Sequence, residues 1–160
     1  MRVGVPKEIK NNEFRVGLTP ASVTELVAAG HEVFVETNAG AGIDFLDADY
    51  IAAGAQILPD APQVFAAAEM IVKVKEPQAS EIALLRPHHL LFTYLHLAAD
   101  RAQTEGLMAS GATCIAYETV TSPRRNRAIS DGCGSLTLTI ISAAAKTSGA
   151  VAAIVAPTAR

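Results

Sequence analysis

The sequence predicts an α/β fold in which helices flank a parallel sheet, and three features of the chain support this. Short apolar runs, β-branched or aromatic in part, recur along the chain, for example at residues 2–5, 70–74 and 90–94. Segments of about 8 to 12 residues with helical spacing lie between such runs. Proline, glycine or a capping residue marks most boundaries. Strands that alternate with helices imply right-handed crossover connections and therefore a parallel sheet.

Local signals place each element in turn. Strands are predicted over residues 2–5, 31–36, 55–58, 70–74, 90–94 and 113–117. Helices are predicted from Thr19-Pro20 to a stop at Gly30, and over residues 47–53, 61–68, 80–85 and 100–110. A capping side chain, here Thr19 or Asp47, typifies a helix start, and glycine typifies a helix end. Residues 7–18 lack a clear period and are predicted to form a loop, and the glycine-rich residues 38–42 a turn.

The composition of the chain changes after Pro123. Arg124-Arg125-Asn126-Arg127 is a basic cluster, and residues 130–134 read as a Ser/Gly turn. Residues 136–155 are rich in alanine, serine and threonine and contain no acidic residue. A helix over residues 136–146 and a weak strand over residues 151–155 are the elements predicted there.

Composition limits the classes of protein that the chain can represent. With 160 residues, of which half are hydrophobic, the chain forms one domain, or one and a fragment. A net charge of −3 provides no basic surface for nucleic acid or for anionic lipid. No segment reads as a secretory signal or membrane helix, and Cys114 and Cys133 lack metal-type spacing. We therefore expect a cytoplasmic protein with reduced thiols, no metal and no membrane or nucleic-acid partner.

Polar residues follow two of the predicted strands. Lys75 follows the apolar run at residues 70–74, and His96 follows the run at residues 90–95. Because the carboxyl ends of parallel strands meet at one sheet edge, where ligands of such folds bind, we expect a cation and an imidazole there. Tyr94 is predicted on the same face as His96, and Arg15 lies in the first loop, where a guanidinium can hold a carboxylate.

Each of these residues also has a simpler interpretation. Lys75 can be a solvated lysine at a strand end, and Arg15 an exposed arginine without a role. His96 can be a core histidine and Tyr94 a core aromatic residue. His88 and His89 are predicted to be structural or solvent-facing.

Several motifs resemble one family. Gly4-Val5-Pro6-Lys7-Glu8 and Asn12-Glu13-Phe14-Arg15-Val16 resemble the signature shared by alanine dehydrogenases and proton-translocating nicotinamide nucleotide transhydrogenases. Val72-Lys73-Val74-Lys75-Glu76-Pro77, Phe92-Thr93-Tyr94-Leu95-His96-Leu97-Ala98-Ala99 and Ala116-Tyr117-Glu118-Thr119-Val120 resemble alanine dehydrogenase specifically. In transhydrogenases, the positions equivalent to Lys75 and His96 are typically not lysine and histidine. The resemblance covers residues 1–123 and leaves residues 124–160 unmatched.

The resemblance implies a fold, a reaction and roles for the candidate residues. The fold is a Rossmann-like or flavodoxin-like parallel sheet that forms the substrate (catalytic) domain. The reaction is the NAD-dependent deamination of L-alanine to pyruvate and ammonium, and its reverse. Arg15 would bind the substrate carboxylate, and Lys75 the carboxylate or the carbonyl oxygen. His96 would be the general acid–base on the carbinolamine oxygen, and Tyr94 would line the pocket.

The chain departs from the family after residue 123. No Gly-x-Gly-x-x-Gly follows a strand, and Gly132-Cys133-Gly134 lacks the third glycine, so no NAD-binding domain or cofactor residue is predicted. We expect a substrate-binding half that is inactive alone. Alternatives are a non-catalytic module that binds a 2-oxo acid or amino acid or pairs with family subunits, and, less well supported, a transhydrogenase domain. In the family, a segment that returns after the cofactor domain completes the first domain, and no such segment is predicted here. The apolar surface that it would cover predicts a tail that covers it instead, or a homo-oligomer.

Overall fold

A parallel sheet forms the centre of the molecule. The computed structural model describes residues 1–119, 121–122, 125–128 and 140–141. Its six parallel strands are β1 (Arg2–Val5), β2 (Glu32–Glu36), β3 (Gln56–Leu58), β4 (Met70–Val72), β5 (Leu90–Thr93) and β6 (Thr113–Ala116). The helices between them are α1 (Pro20–Ala28), α2 (Asp47–Ala52), α3 (Ala61–Ala67), α4 (Ala79–Ile82) and α5 (Arg101–Ser110). The predicted α/β fold is therefore confirmed.

The strand order creates a crevice at the carboxyl edge of the sheet. The strands lie in the order β3-β2-β1-β4-β5-β6, so β1 pairs with both β2 and β4. The strands β2 and β3 therefore lie on one side of β1, and the later strands β4, β5 and β6 lie on the other side. Such a reversal leaves a crevice beyond the carboxyl ends of the two neighbouring strands, and open α/β sheets bind ligands in this crevice.

Two apolar clusters fill the space between the sheet and its helices. One contains Val3, Val5 and Val23, and the other contains Phe65, Ile71 and Leu107. The alternation of side chains along each strand divides the two clusters between the faces of the sheet. At Gly4 a Cβ atom would lie 2.8 Å from the Cβ of Ala68, so glycine is required for the close packing of α3 on β1.

Several element boundaries differ from the predicted ones. β4 ends at Val72 and β5 at Thr93, so both strands are shorter than the apolar runs that predict them. α4 is a single turn that ends at Ile82 rather than at residue 85. The prediction that Asp47 caps α2 is wrong, because Asp47 is the first helical residue. Its carboxylate accepts hydrogen bonds from the preceding turn, at the hydroxyl of Thr37 (2.6 Å) and the N–H of Asn38 (2.8 Å).

Short strands occur in the described part of the chain after residue 119. β7 (Thr121–Ser122) and β8 (Arg125–Ala128) form an antiparallel pair, and β9 (Ile140–Ile141) adds to β6 in antiparallel orientation. The helix predicted over residues 136–146 is therefore wrong at Ile140–Ile141, since β-branched residues favour pairing with the open edge of β6. The glycine motif at residues 132–134 and the strand predicted at 151–155 lie outside the described residues. Within the described ranges no helix has the length and apolarity needed to cross a membrane.

Candidate functional site

A buried lysine anchors the loops at the carboxyl edge of the sheet. Lys73, the first residue after β4, is fully buried, and its Nζ lies 3.0 Å from Oε2 of Glu8 and 2.6 Å from Oε1 of Glu81. A buried ammonium is tolerated only when it is paired, and here two carboxylates from different segments pair with it. Glu8 lies in the loop after β1 and Glu81 lies in α4. The ion network therefore joins three segments below the crevice.

Lys75 is held through its backbone. Its N–H donates a long hydrogen bond to Oε1 of Glu8 (3.4 Å), which also accepts the N–H of Val74 (2.6 Å). Its carbonyl accepts the hydroxyl hydrogen bond of Thr93 at the end of β5 (2.7 Å). No carboxylate of the described residues lies within 4.0 Å of its ammonium group, which is therefore available to a ligand.

Arg15 is oriented by Glu13 in the first loop. Nε of Arg15 donates to Oε1 of Glu13 (2.8 Å) and Nη2 donates to Oε2 (2.6 Å). The hydrogen bonds from Arg15, together with the smaller effect of the charge of Lys75, lower the pKa of Glu13 to about 2. The ion pair with Glu13 uses the side edge of the Arg15 guanidinium, formed by Nε and Nη2. Its end edge, between Nη1 and Nη2, makes no hydrogen bond within the described ranges and can bind a second carboxylate in a bidentate manner.

His96 lies in an unusual backbone conformation next to an aromatic cluster. Its φ of 48° and ψ of 39° are left-handed, and its ring is exposed. The ring stacks on Tyr94 with centroids 5.5 Å apart and planes at 12°. Tyr117 packs edge-on against Tyr94 (5.5 Å), and burial raises the pKa of Tyr117 to about 12. Oε1 of Glu118 accepts the N–H of His96 (3.0 Å).

The structure brings the four predicted site residues to one edge of the sheet. Arg15 contacts Glu13, whose carboxylate is within the electrostatic reach of Lys75. Tyr94 stacks on His96, and its phenol group lies within electrostatic reach of Arg15. Lys75 and His96 each lie three residues past the end of a strand, Lys75 after β4 and His96 after β5.

Two clefts open beside this group. One, of about 420 Å³, is lined by residues 7–15 together with Ala39 and Gly42, and therefore includes Arg15. The other, of about 600 Å³, lies between α4 and α5 and includes His96. Lys10 lines both clefts, whereas Lys75 and Tyr94 line neither. Within the described ranges no cluster of three or more His, Cys, Asp or Glu side chains is arranged to hold a metal ion.

Lys73 and the glutamates that hold these residues were not predicted from the sequence. A lysine within the apolar run Ile71-Val72-Lys73-Val74 is a signal for a buried charge that needs a partner. The partners themselves are distant in sequence, since Glu8 lies 65 residues before Lys73. Among the other histidines, His88 is exposed. His89 is a buried structural residue, bonded through Nε2 to the carbonyl of Phe65 (3.0 Å).

Comparison with known sequences identifies relatives of one kind. The profile of the alanine dehydrogenase/PNT N-terminal domain matches residues 4–130. An alanine dehydrogenase of Halomonas elongata is 57% identical over 123 residues, which are 77% of this chain and 33% of that protein. One from Bacillus subtilis is 52% identical over 124 residues, or 78% of this chain and 32% of that protein. The chain thus spans about a third of the length of these relatives.

Solved structures give the same result. An L-alanine dehydrogenase superposes with a TM-score of 0.75 and 60% identity, over 79% of this chain and 35% of that one. A transhydrogenase from Sinorhizobium meliloti superposes with a TM-score of 0.72 and 31% identity, over 79% of this chain and 37% of that one. The fold is therefore similar to both proteins, and the sequence is much closer to the dehydrogenase.

Proposed function

Because the chain belongs to the alanine dehydrogenase/PNT N-terminal domain family, we propose that it supplies the substrate-binding site of an L-alanine dehydrogenase. The observation that carries the proposal is the grouping of Arg15, Lys75, Tyr94 and His96 at the carboxyl edge of the sheet. The substrate pair is L-alanine and pyruvate, and the reaction is an oxidative deamination and its reverse.

The substrate carboxylate is the group that this site is best suited to bind. The end edge of the Arg15 guanidinium offers parallel N–H donors, a geometry that matches a carboxylate. Glu13 already neutralises the positive charge of Arg15. Lys75 therefore supplies the net positive charge that attracts an anionic ligand. We propose that Arg15 binds the carboxylate and that Lys75 donates to the carboxylate or to the carbonyl oxygen of pyruvate.

His96 is the group in this site that is suited to exchange a proton with a substrate, because an imidazole is the commonest general acid–base in enzymes. We propose that His96 exchanges a proton with the oxygen of the carbinolamine, which forms when ammonia adds to the carbonyl carbon. Tyr94, stacked on the ring, holds the imidazole in orientation.

NAD is the cofactor implied by the family, but the described residues do not fit a dinucleotide. β1 is followed by Pro6-Lys7-Glu8, rather than by a glycine-rich turn that would let a pyrophosphate approach the backbone. We therefore assign no cofactor contact to this chain. We expect the 160-residue chain to produce no NADH from L-alanine and NAD by itself.

The segment Pro6-Lys7-Glu8 after β1, which does not fit a dinucleotide, favours a second candidate function. The chain can act as a non-catalytic module that binds a 2-oxo acid or amino acid, or that pairs with other subunits of the family. A module that only pairs with subunits does not need the ammonium of Lys75 or the free edge of Arg15. Pyruvate binding that depends on these two groups would therefore support a substrate site over a module that only pairs with subunits.

Calorimetric titration of pyruvate into the chain tests the proposal. Loss of a charge-assisted bidentate contact costs about 1.5–3 kcal/mol, so Arg15→Gln should weaken binding about 10- to 100-fold. Lys75→Gln should also weaken it, and propionate, which lacks the oxo group, should bind less tightly than pyruvate. The matched control is Arg101→Gln, which removes an exposed guanidinium from α5. Absence of pyruvate binding, or equal binding by Arg15→Gln and the control, would contradict the substrate site.

A further inference from the structure

Glu118 makes an uncommon pair of contacts with the turn that carries His96. A single oxygen, Oε1, accepts the N–H of Leu95 (3.2 Å) and the N–H of His96 (3.0 Å). The other oxygen, Oε2, is buried and has no hydrogen-bond partner in the described part of the chain. Desolvation of a carboxylate is unfavourable unless its contacts compensate for it, so this side chain serves the two amides.

The backbone of His96 needs such support. Its φ of 48° lies in the left-handed region, which residues with a Cβ atom adopt only at an energetic cost. The preceding residue, Leu95, is fully buried, and its carbonyl accepts a hydrogen bond from the Gln103 amide (2.6 Å). The turn is therefore fixed at Leu95, and the contacts to Glu118 hold His96 in its strained conformation.

The same device occurs at the other two charged site residues. Glu8 accepts the N–H groups of Val74 and Lys75, and Glu13 accepts the N–H of Arg15 (2.9 Å). The side chains of Arg15, Lys75 and His96 thus each project from a backbone amide that a glutamate holds. A glutamate accepts the backbone N–H at all three of Arg15, Lys75 and His96. This repetition indicates that the carboxylates orient the site as a whole and do not merely stabilise a single loop.

We propose that Glu118 is a positioning residue for His96, an inference that rests on the proposed function of the site. Its carboxylate keeps the backbone of His96 left-handed, and that conformation places the imidazole on the ring of Tyr94 and beside the cleft between α4 and α5. Without the acceptor, the turn relaxes toward the right-handed or extended region. The imidazole then leaves Tyr94 and no longer faces a bound substrate.

Amide hydrogen exchange of the full chain, measured by NMR, tests the positioning directly. A hydrogen bond to a charged acceptor is worth about 1.5 kcal/mol or more, so Glu118→Ala should speed exchange at Leu95 and His96 about tenfold or more. The His96 ring protons should also lose the shift caused by the Tyr94 ring. Glu118→Gln keeps an acceptor oxygen, so it should retain most of the amide protection at Leu95 and His96 and most of the shift of the His96 ring protons. The matched control is Glu105→Gln, which removes an exposed carboxylate from α5.

The comparison between sites separates positioning from general stability. A purely structural role would speed exchange equally at core amides such as those of Leu107 and Cys114. The proposal is overturned if exchange at His96 does not change, if it changes no more than in the core, or if Glu118→Gln behaves like Glu118→Ala. Glu118→Met, of similar volume and without an acceptor, carries the same test if the alanine variant does not fold.

Pyruvate titration completes the test and distinguishes this inference from the proposed function. If the wild-type chain binds pyruvate, Glu118→Ala should weaken binding about tenfold while Glu118→Gln stays within about threefold of wild type. Binding that Glu118→Ala leaves intact would overturn the functional part of the inference. If the wild-type chain does not bind pyruvate but the exchange results hold, the proposed function fails and the role of Glu118 in orienting His96 stands.

Discussion

Replacement of Lys73 by methionine should destabilise the fold severely, and the geometry of its ion network sets the magnitude. Lys73 is 0% exposed, with carboxylate oxygens of Glu8 and Glu81 at 3.0 Å and 2.6 Å. Lys73→Met keeps the volume of the side chain but leaves two buried carboxylates without a counter-charge. Breaking a buried pair in this way costs about 3–5 kcal/mol. That loss is a large fraction of the stability of an ordinary domain.

Urea denaturation followed by circular dichroism measures this loss. With a denaturant slope of about 2 kcal/mol per molar, the midpoint should fall by about 2 M. Arg101→Met, which removes an exposed guanidinium paired with Glu105, should change stability by less than about 0.5 kcal/mol. The triple variant Glu8→Gln, Lys73→Met, Glu81→Gln removes all three charges and should recover at least half of the loss. A midpoint for Lys73→Met equal to that of Arg101→Met would refute the reasoning.

Three further predictions concern buried groups outside this network. Burial lowers the pKa of His89, so the native state binds fewer protons than the unfolded state. Stability should be complete above about pH 6.5 and fall at lower pH, and His89→Asn should flatten this slope in urea titrations at several pH values. Gly17→Ala should cost about 1–3 kcal/mol in the same assay, because a Cβ atom would lie 2.4 Å from the carbonyl oxygen of Val72. Burial raises the pKa of the Cys114 thiol to about 12, so a Cys133→Ser variant should react with a thiol reagent only after unfolding.

Local sequence signals were sufficient to predict the architecture. β-branched runs and proline or glycine punctuation place all six parallel strands and the five helices near their observed positions. Within residues 1–119 the errors occur at the ends of the elements, where tertiary contacts decide, whereas at Ile140–Ile141 a strand replaces the predicted helix. Val74 extends the apolar run in the sequence. In the structure β4 stops at Val72, because Lys73 turns inward to the carboxylates of Glu8 and Glu81.

The site was predictable only in part. Lys75 and His96 follow neighbouring parallel strands, so simple geometry predicts that they meet at one edge. Arg15 was a candidate because it lies in the first loop, and the family motifs strengthen that prediction. The supporting glutamates were not predictable, because no local pattern shows which backbone amide a distant carboxylate accepts. Glu118, for instance, lies 22 residues beyond His96, and only the fold brings the two together.

An NMR titration of the isotope-labelled chain with pyruvate tests the central claim most directly, because it reports on every part of the site at once. The account predicts that signals of Arg15, Lys75, Tyr94 and His96 shift together with one dissociation constant, while the Arg101 and Glu105 signals on α5 stay in place. Shifts confined to another surface, or signals of Arg15, Lys75 and His96 that do not respond together, would contradict it.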